Sequence, residues 1–175
     1  MNNHSLRVAW SYLKEILLGI LIFLFVTAFI GRMRQIPSES MEPTLLIGDR
    51  LWTDKITYYI REPKRDDIVI FDPPPAAGPT DVPYVKRVIG ESGDEIRIEG
   101  GKVYVNGTAL TEPYIAEAPD YSWGPQRVPE GYLFVMGDNR RHSNDSHIWG
   151  FLEKKSVSAR VVFRVWPLAR IGTVK

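Results

Sequence analysis

Cysteine is absent from this 175-residue chain. That removes disulfides, thiol nucleophiles and thiolate metal sites together, while leaving the compartment open, because a cysteine-free domain folds in any of them. A surplus of one charge is also missing: 22 basic residues face 21 acidic ones, the net charge is +1, and the basic residues are scattered. A phosphate backbone needs a concentrated positive face, so the balance argues against nucleic acid as a partner. Histidine is scarce, with only His4, His142 and His147 available as bases or ligands. Internal repeats and low-complexity tracts are lacking too. What is present, 44% apolar residues in a chain of this length, suits one folded domain with a short appendage.

Long hydrophobic runs are missing except for one. Residues 16–31 carry no charge and no amphipathic stripe, and an all-round apolar helix faces lipid or a core. Leu13, Tyr12 and Trp10 extend the run toward an aromatic interface and Lys14 can snorkel, so a single transmembrane helix over about 13–31 is expected. A buried core helix and a cleaved secretory signal are the rivals. The run is long for a signal, and Arg32 and Arg34 follow it where a small-x-small cleavage site would stand. Orientation is not set by charge, because Arg7 and Lys14 on one side balance Arg32 and Arg34 on the other.

From residue 35 to 175 the composition changes to short β-branched and aromatic runs broken by Gly, Pro, Asn and Asp, which predicts a mainly β domain of antiparallel sheet. Strands are expected over 49–57, 67–71, 84–89, 95–98, 102–105, 132–135 and 159–165. The clearest hairpin joins 95–99 to 102–105 through Gly100-Gly101, and Asn106-Gly107 supplies a second turn of the kind that needs positive φ. Residues 73–83 and 112–130, both rich in proline, read as loops, the second as a surface connection.

Just past the apolar run, residues 35–45 read Gln-Ile-Pro-Ser-Glu-Ser-Met-Glu-Pro-Thr-Leu. Pro37 and Pro43 restrict themselves and the residues before them, so Ser40 sits on a constrained turn. A serine nucleophile needs a base, and this chain offers histidine or a lysine of lowered pKa. In residues 84–89, Tyr-Val-Lys-Arg-Val-Ile, strand alternation places Lys86 with Tyr84 and Val88 on one face. Burial there disfavours the ammonium and moves lysine toward the range of a neutral-pH base. Arg87 points the other way, toward a possible carboxylate. The histidine alternative lies in the polar loop 136–150, where His142 or His147 with Asp138 or Asp145 would complete a triad. The same loop offers Asp138, Asp145 and His147 to a metal, but at a spacing that matches no metal pattern.

Three segments in order, Pro-Ser-Glu-Ser-Met-Glu-Pro-Thr-Leu at 37–45, Tyr-Val-Lys-Arg-Val-Ile-Gly at 84–90, and Gly-Asp-Asn-Arg-x-x-Ser-Asn-Asp-Ser-x-x-Trp-Gly at 137–150, resemble the bacterial type I signal peptidases. Gly48-Asp49 and Asp-Ile-Val-Ile-Phe at 67–71 resemble an intervening box of that family, so the likeness spans roughly residues 35–165. The resemblance implies Ser40 as nucleophile, Lys86 as general base and Ser38 as the donor that joins the Ser40 amide in an oxyanion hole. Ser143 looks like the serine that orients the lysine, Asp145 like the carboxylate of the same loop, and Ile36 and Leu45 like residues lining apolar pockets for small side chains. No metal or cofactor is implied. Two departures stand out: Arg141-His142 where members often have Asp-Asn, and His147 where they usually have arginine. Histidine loses its charge near neutrality and arginine does not, so loop order and activity are expected to weaken as pH rises.

The expected function is therefore a membrane-anchored serine endopeptidase that removes signal peptides from membrane-tethered preproteins after small-x-small sites, with its catalytic domain on the extracytoplasmic side of a bacterial cell membrane. Ser40 follows the apolar run by nine residues, which keeps it within about 30 Å of the boundary. Ile36, Met41, Leu45, Leu46, Ile47 and Trp52 read either as core or as a surface that dips into lipid. Two rivals stay open: a non-enzymatic, membrane-anchored β module that binds extended peptides at a sheet edge, and a self-cleaving Ser-Lys protease of the repressor type.

Overall fold

The computed structural model describes residues 3–25 and 31–174. The helix α1 runs over Asn3–Phe25 and the first strand, β1, over Gly31–Gln35. The expected span over 13–31 thus differs at both ends: the helix starts at Asn3, and Gly31 is already strand. Among the described residues no helix is long and apolar enough to cross a membrane, and the expected positions 26–30 lie outside them. From Trp10 to Phe23 every side chain is exposed, so α1 is not the buried core helix of one rival reading.

The expected β domain is built of antiparallel strands. The larger sheet uses β2 (Arg50–Asp54), β3 (Ile68–Phe71), β4 (Tyr84–Gly90), β9 (Tyr132–Met136), β10 (Leu152–Glu153), β11 (Val157–Trp166) and β12 (Gly172–Thr173), in the order β1-β2-β11-β3-β4-β9-β10 with β12 on β11. The smaller uses β5 (Glu95–Glu99), β6 (Lys102–Val105), β7 (Thr108–Ala109) and β8 (Trp123–Arg127), in the order β7-β6-β5-β8. Every predicted strand is found. The hairpin has the expected register, Ile96 opposite Val105 and Glu99 opposite Lys102, and both dipeptides turn with positive φ, 58° and 74° at Gly100-Gly101, 51° and 79° at Asn106-Gly107.

Two strands contradict expectation. β1 has no apolar alternation to read, since it is an edge strand whose residues after Gly31 are all exposed. β8 falls inside the expected 112–130 loop. Its Gly124 and Pro125 hide the pattern, but Trp123 packs on Phe134 and Phe151 and the strand pairs with β5.

Burial follows the period-two rule. On β3, Ile68 and Ile70 join one core cluster with Ile36, Met41, Leu45 and Leu51, while Val69 and Phe71 join another with Val88, Leu133 and Val135 on the opposite face. A third cluster, containing Ile96, Ile98, Phe134 and Met136, seats the smaller sheet on β9. Apolar burial at about 25 cal/mol per Å² is the main term holding such layers. Of the six residues read as core or lipid surface, Ile36, Met41 and Leu45 are core, whereas Leu46 and Ile47 are exposed and Trp52 is half-buried.

Candidate active site

The Ser40 turn belongs to a loop closed at its neck. Ile36 N–H donates to the Asp49 carbonyl and Gly48 N–H to the Ile36 carbonyl, both at 2.9 Å, prolonging the β1–β2 ladder by one step. Met41 and Leu45 plug the loop into the core. Asp49 accepts from Arg164, Arg170 and the Leu46 amide, and Arg164 also donates to the Thr44 carbonyl. The backbone of the loop is therefore held by side chains from β11 and the turn after it.

Lys86 comes from β4. Its cross-strand partner is Val69, of the cluster to which Tyr84 and Val88 belong, while Arg87 lies opposite Ile68 of the other cluster, so the predicted alternation is observed. Lys86 is 3% exposed and its Nζ lies 2.6 Å from Ser40 Oγ. Burial pushes the ammonium down from 10.5 to about 8, against Asp145 and Asp138, whose charges favour the cation. A buried amine that ionises near neutrality, in contact with a hydroxyl, is equipped to take its proton. Arg87 finds the carboxylate expected on its side: Asp138 accepts from its Nε at 2.8 Å and its Nη2 at 2.6 Å, and the pair is almost fully buried.

The loop 137–145 lies against both partners. Asn139 N–H donates to the Ser40 carbonyl at 3.1 Å. A Cβ at Gly137 would stand 2.3 Å from that same carbonyl and 2.3 Å from Ser143 Oγ, so only glycine fits there. Asp145 accepts from the Gly137 amide, caps the short helix α2 (Ser146–Trp149) through the His147 amide, and meets His147 Nδ1 at 2.7 Å. His147 in turn stacks on Tyr121. Asp138 accepts from Thr44 Oγ1 as well as from Arg87, which joins the Ser40 loop to β4.

The structure brings most of the expected residues together. Ser38 Oγ is 3.4 Å from Ser40 Oγ, and no described group accepts from the Ser40 amide. Ser143 Oγ is buried beside Gly137 without a hydrogen-bond partner, and makes no bond to Lys86. Ile36 lines a cleft of about 430 Å³ together with residues 37–41 on one wall, 82–86 on the other, and His142 and Asn144 at the end. Leu45 does not line it but sits fully buried in the cluster with Ile36. β9 pairs with β4 only from Arg87 onward, so β4 up to Lys86 presents an unpaired edge to the cleft. The histidine alternatives are not realised: the group on Ser40 is Lys86, Asp138 is engaged by Arg87, and His142 reaches only the cleft wall. No cluster of three metal-ligating side chains occurs among the described residues.

Sequence reasoning missed Thr44, Arg140, Glu112 and Tyr114. Arg140 is buried and paired in bidentate fashion with Glu112, and Tyr114 packs on Arg87. Only the motif around Arg140 hinted at this, since nothing local links residue 112 to residue 140.

The family model described as signal peptidase, peptidase S26, matches residues 9–166. The chain belongs to this family. The peptidase is 43% identical over 164 residues to signal peptidase I of Leptolyngbya laminosa, covering 91% of this chain and 81% of that one. It is 44% identical to a probable signal peptidase I-2 of Synechocystis, covering 91% and 74%, and 36% identical to signal peptidase I of Bacillus licheniformis, covering 93% and 91%. Membership of a peptidase family makes the chain a serine peptidase and removes the non-enzymatic β module from consideration.

Proposed function

We propose that this peptidase removes N-terminal signal peptides from exported, membrane-tethered preproteins, with Ser40 as nucleophile and Lys86 as general base. The observation that carries the reading is the 2.6 Å contact between Lys86 Nζ and Ser40 Oγ inside a pocket that keeps the amine mostly dry. Neutral Lys86 takes the Ser40 proton as Oγ attacks the scissile carbonyl. The oxyanion is met by the Ser40 amide and the Ser38 hydroxyl, and loss of one such donor costs about 3 kcal/mol of transition-state stabilisation. The amine leaves with the proton from Lys86, water enters, and Lys86 activates it against the acyl-enzyme. Asp145 and Asp138 tune the lysine by charge.

An extended peptide fits the open edge of β4, with alternate side chains directed toward Ile36 and its neighbours, where apolar walls favour apolar residues and the family likeness supports small ones. The exposed apolar side chains of α1 support an anchor in the bilayer, with the domain outside the cytoplasm by likeness to the family. Exposed Leu46 and Ile47 belong to the same environment.

The test is cleavage of a fluorogenic peptide with alanine at the first and third positions before the cut. Ser40→Ala and Lys86→Met are each expected to abolish it while the protein keeps its folded circular-dichroism spectrum. Full cleavage by either variant ends the dyad reading.

A further inference from the structure

We propose that residues 112–121, an excursion from the smaller sheet, brace the catalytic loop and set the distance between the two halves of the dyad, with Tyr114 and Glu112 as positioning residues. The inference rests on the Ser40–Lys86 reading.

Asp138 is the point where three segments meet: it takes Arg87 from β4, Thr44 from the Ser40 loop, and belongs itself to the loop that touches Ser40. Arg87 is the residue next to Lys86, so any slack at Asp138 is felt at the amine. The excursion closes on this hub from the far side. Tyr114 lays its ring on the Arg87 guanidinium, centroid to Cζ 3.9 Å, and the same centroid lies 5.9 Å from Arg140 Cζ. Tyr114 also donates its hydroxyl to Glu112 at 3.1 Å, and Glu112 holds Arg140 through both Nη atoms. Arg140 Nε donates to the Gly137 carbonyl, which returns the grip to the residue wedged between Ser40 and Ser143.

Further along, the excursion holds the loop's outer side. Arg141 donates to the Ala118 carbonyl at 3.1 Å and pairs with Glu117 at 3.2 Å, and Tyr121 stacks on His147 at 4.0 Å between centroids. The excursion passes the hairpin turn, where a Cβ added at Gly101 would come into ordinary contact with Ala118 and Pro119. Buried Arg87 and Arg140 are neutralised by Asp138 and Glu112, so the four groups form a closed charge set that loses its balance when one is removed. None of these contacts reaches the cleft, so the brace acts on the dyad's geometry and not on substrate.

The experiment measures kcat and KM of the full chain in detergent on the same fluorogenic peptide. Tyr114→Leu, which removes the ring from the guanidiniums, is expected to lower kcat about tenfold with KM changed less than about twofold. Tyr114→Phe keeps the ring and is expected to restore most of kcat. A folded Tyr114→Leu protein with wild-type kcat, or one that loses only KM, overturns the inference. Arg141→Ala provides a second arm, because this residue is exposed and its loss leaves the core intact. Hydrogen exchange at the Asn139 and His142 amides should quicken in it, and unchanged exchange also overturns the brace. Ser40→Ala is run alongside: if it cleaves normally, the dyad reading fails and takes the positioning role with it, whereas a dead Ser40→Ala beside an unaffected Tyr114→Leu removes the brace alone.

Discussion

Replacing Lys86 by methionine should make the protein more stable at neutral pH while destroying its activity. The folded state holds this amine at about 8 against 10.5 in a free lysine, with burial as the main cause. Each pKa unit is about 1.4 kcal/mol, so keeping Lys86 charged in the folded protein costs on the order of 3 kcal/mol wherever the pH is below both values. Methionine has a similar length, needs no desolvation of charge and fits an apolar site. It forfeits the contact to Ser40, worth about 1 kcal/mol. A net gain of about 2 kcal/mol at pH 7 remains, which for a chain of this size is a rise of roughly 4–8 °C in Tm. The dependence on pH has a definite sign. Between about 8 and 10.5 the unfolded chain binds a proton that the folded one does not, so wild-type stability rises through that window. The advantage of Lys86→Met must therefore shrink across it and vanish or reverse above it. Urea titrations of both proteins from pH 6 to 10.5 measure this, and parallel stability curves would refute the reasoning. The same value predicts that wild-type kcat/KM climbs about tenfold per pH unit below 8 and levels above it, since only the neutral amine accepts the Ser40 proton.

Gly137→Ala should cut kcat by roughly a hundredfold, because its Cβ would displace either the Ser40 carbonyl or Ser143; peptide cleavage by a folded variant reads this directly. Asp138→Asn leaves Arg87 buried without its counter-charge and should cost about 3–5 kcal/mol of stability in a urea titration, with no rescue by salt.

The chemistry-bearing residues were legible because each carried its own local signal. Ser40 lay between two prolines, Lys86 on a strand whose alternation aimed it at apolar neighbours, and Asp145 in a loop dense with capping residues. Those signals point to Ser40 and Lys86 but leave histidine open as the base, a choice that only the family resemblance narrows. The brace gave no signal, since Glu112 and Tyr114 owe their role to a meeting with residues 87 and 140 across two sheets. β8 was hidden for a related reason: Gly124 and Pro125 look like a loop until β5 offers an edge to pair with.

The sequence by itself determined the strand periods, the turns that require glycine or asparagine, and the one apolar run, because these depend on neighbours within a few residues. Tertiary structure decided which side chain touches Ser40, that Ser143 sits beside Gly137 and not on the lysine, and that Ile36 and Leu45 share one core cluster of which only Ile36 also borders the cleft. Those outcomes depend on where strands distant in the chain stop pairing, as β9 does at Met136 opposite Arg87, opening the edge on which the site is built.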